Sequence, residues 1–167
     1  MRAGDKMIEQ KVYNTLDKMN IEYELITHAA VFTVEEADEC IKDQKGVRTK
    51  TLFLCNKKSE KFALLIVDGK NRLNIKELAI KLNMKGLKFA SADNLKKKLN
   101  LTPGSVSLFG LLNNQEKDVL VYIDKSIELE KSISFHPNIN TKTIFIRISD
   151  MYRFLEELGY EYEKIEI

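Results

Sequence analysis

Two apolar runs, Thr51 to Cys55 and Phe62 to Val67, are separated by the polar stretch Asn56 to Lys61. Five or six apolar residues are too few for a buried helix and suit a strand. Two such runs a short polar turn apart predict an antiparallel hairpin. The hairpin needs cover on both faces, and the flanking segments supply helices for it. Ile8, Val12, Leu16 and Met19 share one face of a helix predicted from Asp5 to Met19. Ile21, Tyr23 and Leu25 alternate with Glu22 and Glu24 and predict a strand. Thr33 followed by Glu36 is a capping-box pattern for a short helix, and Asn74 with Glu77 opens a helix carrying Leu78, Ala79 and Leu82, expected to stop near Gly86.

Further along, Leu87 to Ala90 reads as a short strand and Lys96 to Lys98 as part of a helix that ends before Thr102-Pro103-Gly104. Val119 to Ile123 and Lys142 to Ile148 read as late strands. A last helix starts at Ser149 or Asp150, buries Met151, Phe154, Leu155 and Leu158, and ends at Gly159. Strands and helices are interspersed without regular βαβ spacing. The expected class is therefore α/β in the mixed α+β sense: a mixed, partly antiparallel sheet flanked by helices. With 167 residues, 2 prolines and 7 glycines, and no repeat or linker, the chain is expected to form one domain over 1–167.

Charge is distributed unevenly. From Lys42 to Lys98 there are 16 Lys and Arg against 5 Asp and Glu; from Leu101 to Ile167 there are 7 against 11. Such a basic stretch reads first as solvated faces, and alternatively as a surface that meets a polyanion. Cys40 and Cys55 are no disulfide framework, and no apolar run approaches a membrane span. A charged N-terminus without an apolar core segment argues against a signal peptide, so a cytoplasmic location is expected. His28, Cys40, Cys55 and His136 lack the close spacing of zinc ligands, and neither a phosphate-cradling nor a dinucleotide motif is present. Neither a metal nor a cofactor is expected.

Three segments carry the chemistry. In Gly46-Val47-Arg48-Thr49-Lys50-Thr51-Leu52-Phe53-Leu54, Lys50 opens the first hairpin strand. Taken alone it reads first as an edge-blunting lysine. In Pro103-Gly104-Ser105-Val106-Ser107-Leu108-Phe109-Gly110-Leu111, Gly104 permits positive φ, and successive N–H groups can form an anion-binding concavity or a plain turn. Ser105 and Ser107 lack a nucleophile-elbow context and are assigned hydrogen bonding at most. In Phe135-His136-Pro137-Asn138, the proline forces His136 out of helical geometry.

In this order and spacing the three segments resemble the freestanding prolyl-tRNA editing proteins, the ProX branch of the YbaK-type aminoacyl-tRNA deacylases. The resemblance runs from about Thr27 to the final helix. It implies a curved mixed sheet flanked by helices, with Lys50, Gly104 and His136 as the catalytic set. It further implies Phe32, Thr33, Thr51, Ser105, Ser107, Phe109 and Asn138 as substrate-binding residues, a tRNA(Pro) acceptor end as partner, with prolyl-tRNA synthetase as an optional second partner, and no membrane. Two positions depart from the pattern: Thr51 stands where many relatives have Asn, and Leu108 where relatives often have Pro. His136 would position the substrate carbonyl or a water, or brace its loop; His28 is expected to be structural. The implied reaction is hydrolysis of Ala-tRNA(Pro), with Cys-tRNA(Pro) as the alternative within the class. A non-catalytic RNA-binding module and a small-molecule ester or amide hydrolase are the alternatives outside it.

Overall fold

The computed structural model describes residues 3–30, 32–42 and 44–167, without the side chains of Val34 and Asp38. The predicted hairpin forms: β2 (Thr49–Cys55) and β3 (Phe62–Asp68) pair antiparallel, with Thr51 opposite Ile66 and Phe53 opposite Leu64. Every residue from Phe62 to Val67 is buried. The reason is that β3 lies inside a five-stranded sheet of order β4-β2-β3-β5-β8, covered on both faces. Here β4 is Lys88–Phe89, β5 is Val119–Asp124 and β8 is Tyr162–Ile165. β3–β5 and β5–β8 are parallel pairs, so the sheet is mixed.

The alternation along β3 sends Leu64 and Ile66 into the larger core, and Ala63, Leu65 and Val67 into a second one. The second core lies under α3 (Ile75–Lys81), whose Asn74 cap accepts hydrogen bonds from the N–H groups of Lys76 and Glu77. α3 stops at Leu82, well before Gly86, because Asn83 takes up the left-handed conformation at φ 50°. Gly86, at φ +65°, turns the chain into β4 with the Lys57 side chain against it.

The larger core takes Val12 and Leu16 from α1 (Ala3–Lys18), Leu95 and Leu99 from α4 (Ala92–Leu99), and Met151, Phe154 and Leu155 from α5 (Ile148–Leu158). Gly159 ends α5 at φ +82°, as predicted. On the far side of this core stands a second, antiparallel sheet of order β1-β7-β6: β1 is Glu24–Thr27, β6 Ser132–Phe135 and β7 Lys142–Arg147. Neither β6 nor β8 was predicted. β1 starts later than its alternation suggested: Ile21 is buried ahead of the strand and Leu25 is exposed.

The two sheets meet at one line. Val47 bridges to Ile133, Val47 N–H donates to the Ser132 carbonyl at 2.9 Å, and Ser134 N–H donates to the Val47 carbonyl at 3.1 Å. The Thr49 hydroxyl donates to the Ser134 carbonyl, while the Ser134 hydroxyl donates to the Val47 carbonyl at 3.0 Å. Among the described residues no helix is long and apolar enough to cross a membrane.

Candidate active site

A cavity of about 340 Å³ opens where these two sheets meet. Its walls come from α2 (Val34–Cys40) and the residues around it, the first half of β2, the Gly104–Val106 turn, the end of β6 and the start of β7. Lys50, Gly104 and His136, 86 positions apart at the extremes, all line it, together with Phe32, Thr33 and Thr51.

Lys50 is half-buried and has no hydrogen-bond or ion-pair partner among the described residues. Its backbone is fixed opposite Val67 in the β2–β3 ladder, so only the flexible stem and its charge remain to be placed.

Gly104 is the third residue of a turn closed by the Ser105 N–H donating to the Thr102 carbonyl at 3.0 Å. Pro103 in second position and φ +89° at Gly104 make it a type II turn, which requires a residue tolerant of positive φ. The turn consumes the Ser105 N–H. The N–H groups of Gly104 and Val106 have no partner among the described residues, and both residues line the cavity. Phe32, 70% exposed, lies across Gly104: a Cβ there would sit 2.9 Å from the Phe32 Cδ1. Phe32 itself is held by α2. Its N–H donates to the Glu36 carboxylate at 2.8 Å, while Glu36 N–H donates to the Thr33 hydroxyl at 3.1 Å, which is the predicted capping exchange displaced by one residue.

His136 Nδ1 lies 2.8 Å from the Lys142 carbonyl. A carbonyl only accepts, so Nδ1 carries the proton and Nε2 of the neutral ring holds a lone pair with no partner among the described residues. Burial, helped by the nearby His28, lowers its pKa below the ordinary 6.5, against the opposing pull of the Lys142 carbonyl. The ring is therefore neutral at pH 7. His28 stands with its ring centroid 6.1 Å from that of His136. Its Nδ1 faces the Ala29 carbonyl at 2.7 Å, and its Nε2 faces at 2.9 Å the hydroxyl of Thr143, a cavity residue.

Four predicted binding residues lie outside the lining. Ser107 is fully buried and accepts from the Phe109 N–H at 3.2 Å, capping a 3₁₀ turn over Leu108–Asn113. Phe109 packs edge-on against Phe135 and Phe154 at centroid distances of 5.7 and 5.4 Å. Ser105 is buried within the turn, and Asn138 is buried at φ 63° where the chain passes from β6 to β7. Conversely, Thr49, Ser134 and Thr143 line the cavity and were not singled out. Thr49 had a readable signal in its position beside Lys50. Ser134 and Thr143 had none, because their strands reach the site only through pairing between the sheets.

The family model of the aminoacyl-tRNA editing domain matches residues 28–154. The prolyl-tRNA editing protein ProX of Acetoanaerobium sticklandii is 33% identical over 98% of this chain and 99% of its own. A prolyl-tRNA synthetase associated domain-containing protein of Danio rerio is 34% identical over 90% of this chain and 82% of its own. Among solved structures, a candidate trans-editing enzyme for prolyl-tRNA synthetase superposes with a TM-score of 0.72 at 16% identity, covering 96% of this chain and 97% of its own. That likeness concerns the fold alone.

Proposed function

Because this chain belongs to the aminoacyl-tRNA editing domain family, we propose that it is a prolyl-tRNA editing deacylase that hydrolyses the ester of Ala-tRNA(Pro). The observation that carries the reading is the convergence of Lys50, Gly104 and His136 on one cavity from three separate segments. An aminoacyl ester is already activated, so positioning and charge stabilisation supply most of what hydrolysis needs. The free N–H groups of Gly104 and Val106 are donors for the oxyanion, and the Lys50 ammonium adds charge at the same cavity or holds the terminal phosphate. The Nε2 lone pair of neutral His136 orients the attacking water and accepts its proton. Ser105 and Ser107 are not nucleophiles in this scheme: both are buried away from the lining.

Alanine is the substrate by size. A synthetase site built for proline discriminates poorly against a smaller side chain, since a methylene is worth only about 1–3 kcal/mol, and a second, smaller site corrects the error. The test is release of amino acid from tRNA(Pro) charged with alanine, cysteine, serine or proline. Alanine is expected to be released fastest and proline not at all, with Lys50→Ala abolishing release while circular dichroism stays unchanged. Full activity in Lys50→Ala removes the mechanism. Binding of tRNA without release of any amino acid would identify a non-catalytic module.

A further inference from the structure

The open edge of β2 runs along the cavity, and on it both main-chain groups of Thr51 are left unpaired among the described residues. Side chains alternate across a strand, yet four consecutive residues, Thr49, Lys50, Thr51 and Leu52, line the cavity. That is possible because the cavity lies along the strand's edge, where main-chain atoms face it. The parity of the ladder identifies those atoms. Arg48 accepts from the Gly69 N–H at 2.7 Å on the β3 side, and Phe53 accepts from the Ala90 N–H at 3.0 Å on the opposite side. Even-numbered residues therefore direct N–H and C=O toward β3, and odd-numbered residues direct theirs to the open edge. On that edge Val47 and the Thr49 N–H are taken by β6, while the Phe53 carbonyl and Cys55 are taken by the β4 segment. Thr51 lies between them, and its N–H and C=O have no partner among the described residues.

We propose that Thr51 receives the aminoacyl group as a one-residue antiparallel strand, an inference that rests on the deacylase reading above. An α-aminoacyl ester carries a donor on nitrogen and an acceptor on its carbonyl, spaced across one Cα as in a peptide residue. Opposite Thr51 the α-ammonium donates to the Thr51 carbonyl and the ester carbonyl accepts from the Thr51 N–H, the paired exchange of a hydrogen-bonded antiparallel bridge. β6, at the Thr49 N–H, and the β4 segment, at the Phe53 carbonyl, flank this gap. An L-residue bridged in this way puts its Cβ on the face shared by Thr49, Thr51 and Phe53. The contact uses main chain only, so it is indifferent to whether position 51 is Thr or Asn.

Proline suits the test, because at an outward-facing edge position it removes only the free N–H. We compare tRNA(Pro) bearing alanyl with tRNA(Pro) bearing propionyl, which lacks the amine, dividing each rate by the uncatalysed hydrolysis of the same ester. Wild-type protein is expected to favour alanyl by at least about tenfold, one charged hydrogen bond. Thr51→Val keeps both main-chain groups and is expected to keep that preference; Thr51→Pro keeps the carbonyl that takes the amine and removes the N–H that takes the ester carbonyl, so it is expected to keep the preference while losing about tenfold of kcat/KM on both esters. Hydrogen exchange at the Thr51 amide provides a second measurement that needs no variant, with an amide-linked alanyl-adenosine as the probe. Slowing by about tenfold or more supports the bridge, and unchanged exchange overturns it even where Thr51→Pro fails to fold. Equal treatment of alanyl and propionyl by active wild type also overturns it. Wild type inactive on Ala-tRNA(Pro) overturns the deacylase reading itself.

Discussion

Gly104 sits at φ +89° with Phe32 Cδ1 2.9 Å from the place a Cβ would occupy. A β-branched residue there meets both a backbone penalty of about 1–3 kcal/mol and a ring that must move. Either response displaces the Gly104 and Val106 N–H groups, which the proposed mechanism uses as oxyanion donors, and losing one such donor costs about 2.7–4 kcal/mol of barrier. Gly104→Val is therefore expected to lower kcat on Ala-tRNA(Pro) by about a hundredfold or more while tRNA affinity in a filter-binding assay changes little. His136 gives a second prediction, in pH. Its pKa is depressed in the folded state, so between the folded value and the ordinary 6.5 the unfolded chain binds more protons. Stability rises with pH through that window and falls on acidification. Thermal melts from pH 5 to 7 are expected to show this slope, and His136→Asn is expected to flatten it. Activity limited by neutral His136 is expected to hold down to a pH below 6.5.

At the scale of elements, α1 is tied to the site's back wall by one buried ion pair. Lys142 Nζ donates to the Glu9 carboxylate at 2.7 Å, with side-chain exposures of 16% and 7%, and Glu9 also accepts from the Tyr13 hydroxyl at 2.7 Å. The carbonyl of the same Lys142 holds His136. Removing one partner leaves a buried charge without compensation, which costs about 3–5 kcal/mol, whereas removing both is far milder. Glu9→Ala is expected to lower the urea midpoint sharply, and Glu9→Ala with Lys142→Met is expected to recover most of the loss. On the opposite wall, Arg48 donates to the Ile41 carbonyl at 2.6 Å and to the Gln44 carbonyl, fastening the end of α2 to the start of β2, while its guanidinium lies 5.2 Å from the Phe145 ring centroid.

For the whole molecule, the basic stretch keeps most of its charge available. Between Lys42 and Lys98 the ion pairs among the described residues are Lys42 with Glu39, and Lys98 with Glu116 and Asp118. Lys57, Lys58, Lys61, Lys85, Lys88, Lys96 and Lys97 are exposed. tRNA affinity is expected to fall linearly in log–log plots against salt, by about 0.7–0.9 per phosphate neutralised. A flat response in a titration from low to physiological salt would mean that these lysines face solvent in the complex. The sequence by itself determined the local pieces. The β2–β3 hairpin, the Asn74 cap, the Gly159 stop and the position of Lys50 at a strand start follow from short-range sterics and hydrogen bonding. Tertiary structure decided the rest. β6 and β8 are four-residue strands in which half or more of the side chains are polar; β8 exists because the distant β5 supplies its hydrogen bonds, and β6, besides pairing with its neighbour β7, is held to the other sheet by the distant Val47. For the same reason, only the packed fold separated Gly104 and His136, which reach the cavity, from Ser107 and Phe109, which a few residues along the same segment serve the core. The open step at Thr51 is likewise invisible in sequence, since an unpaired edge amide is defined by which strands stop short of it.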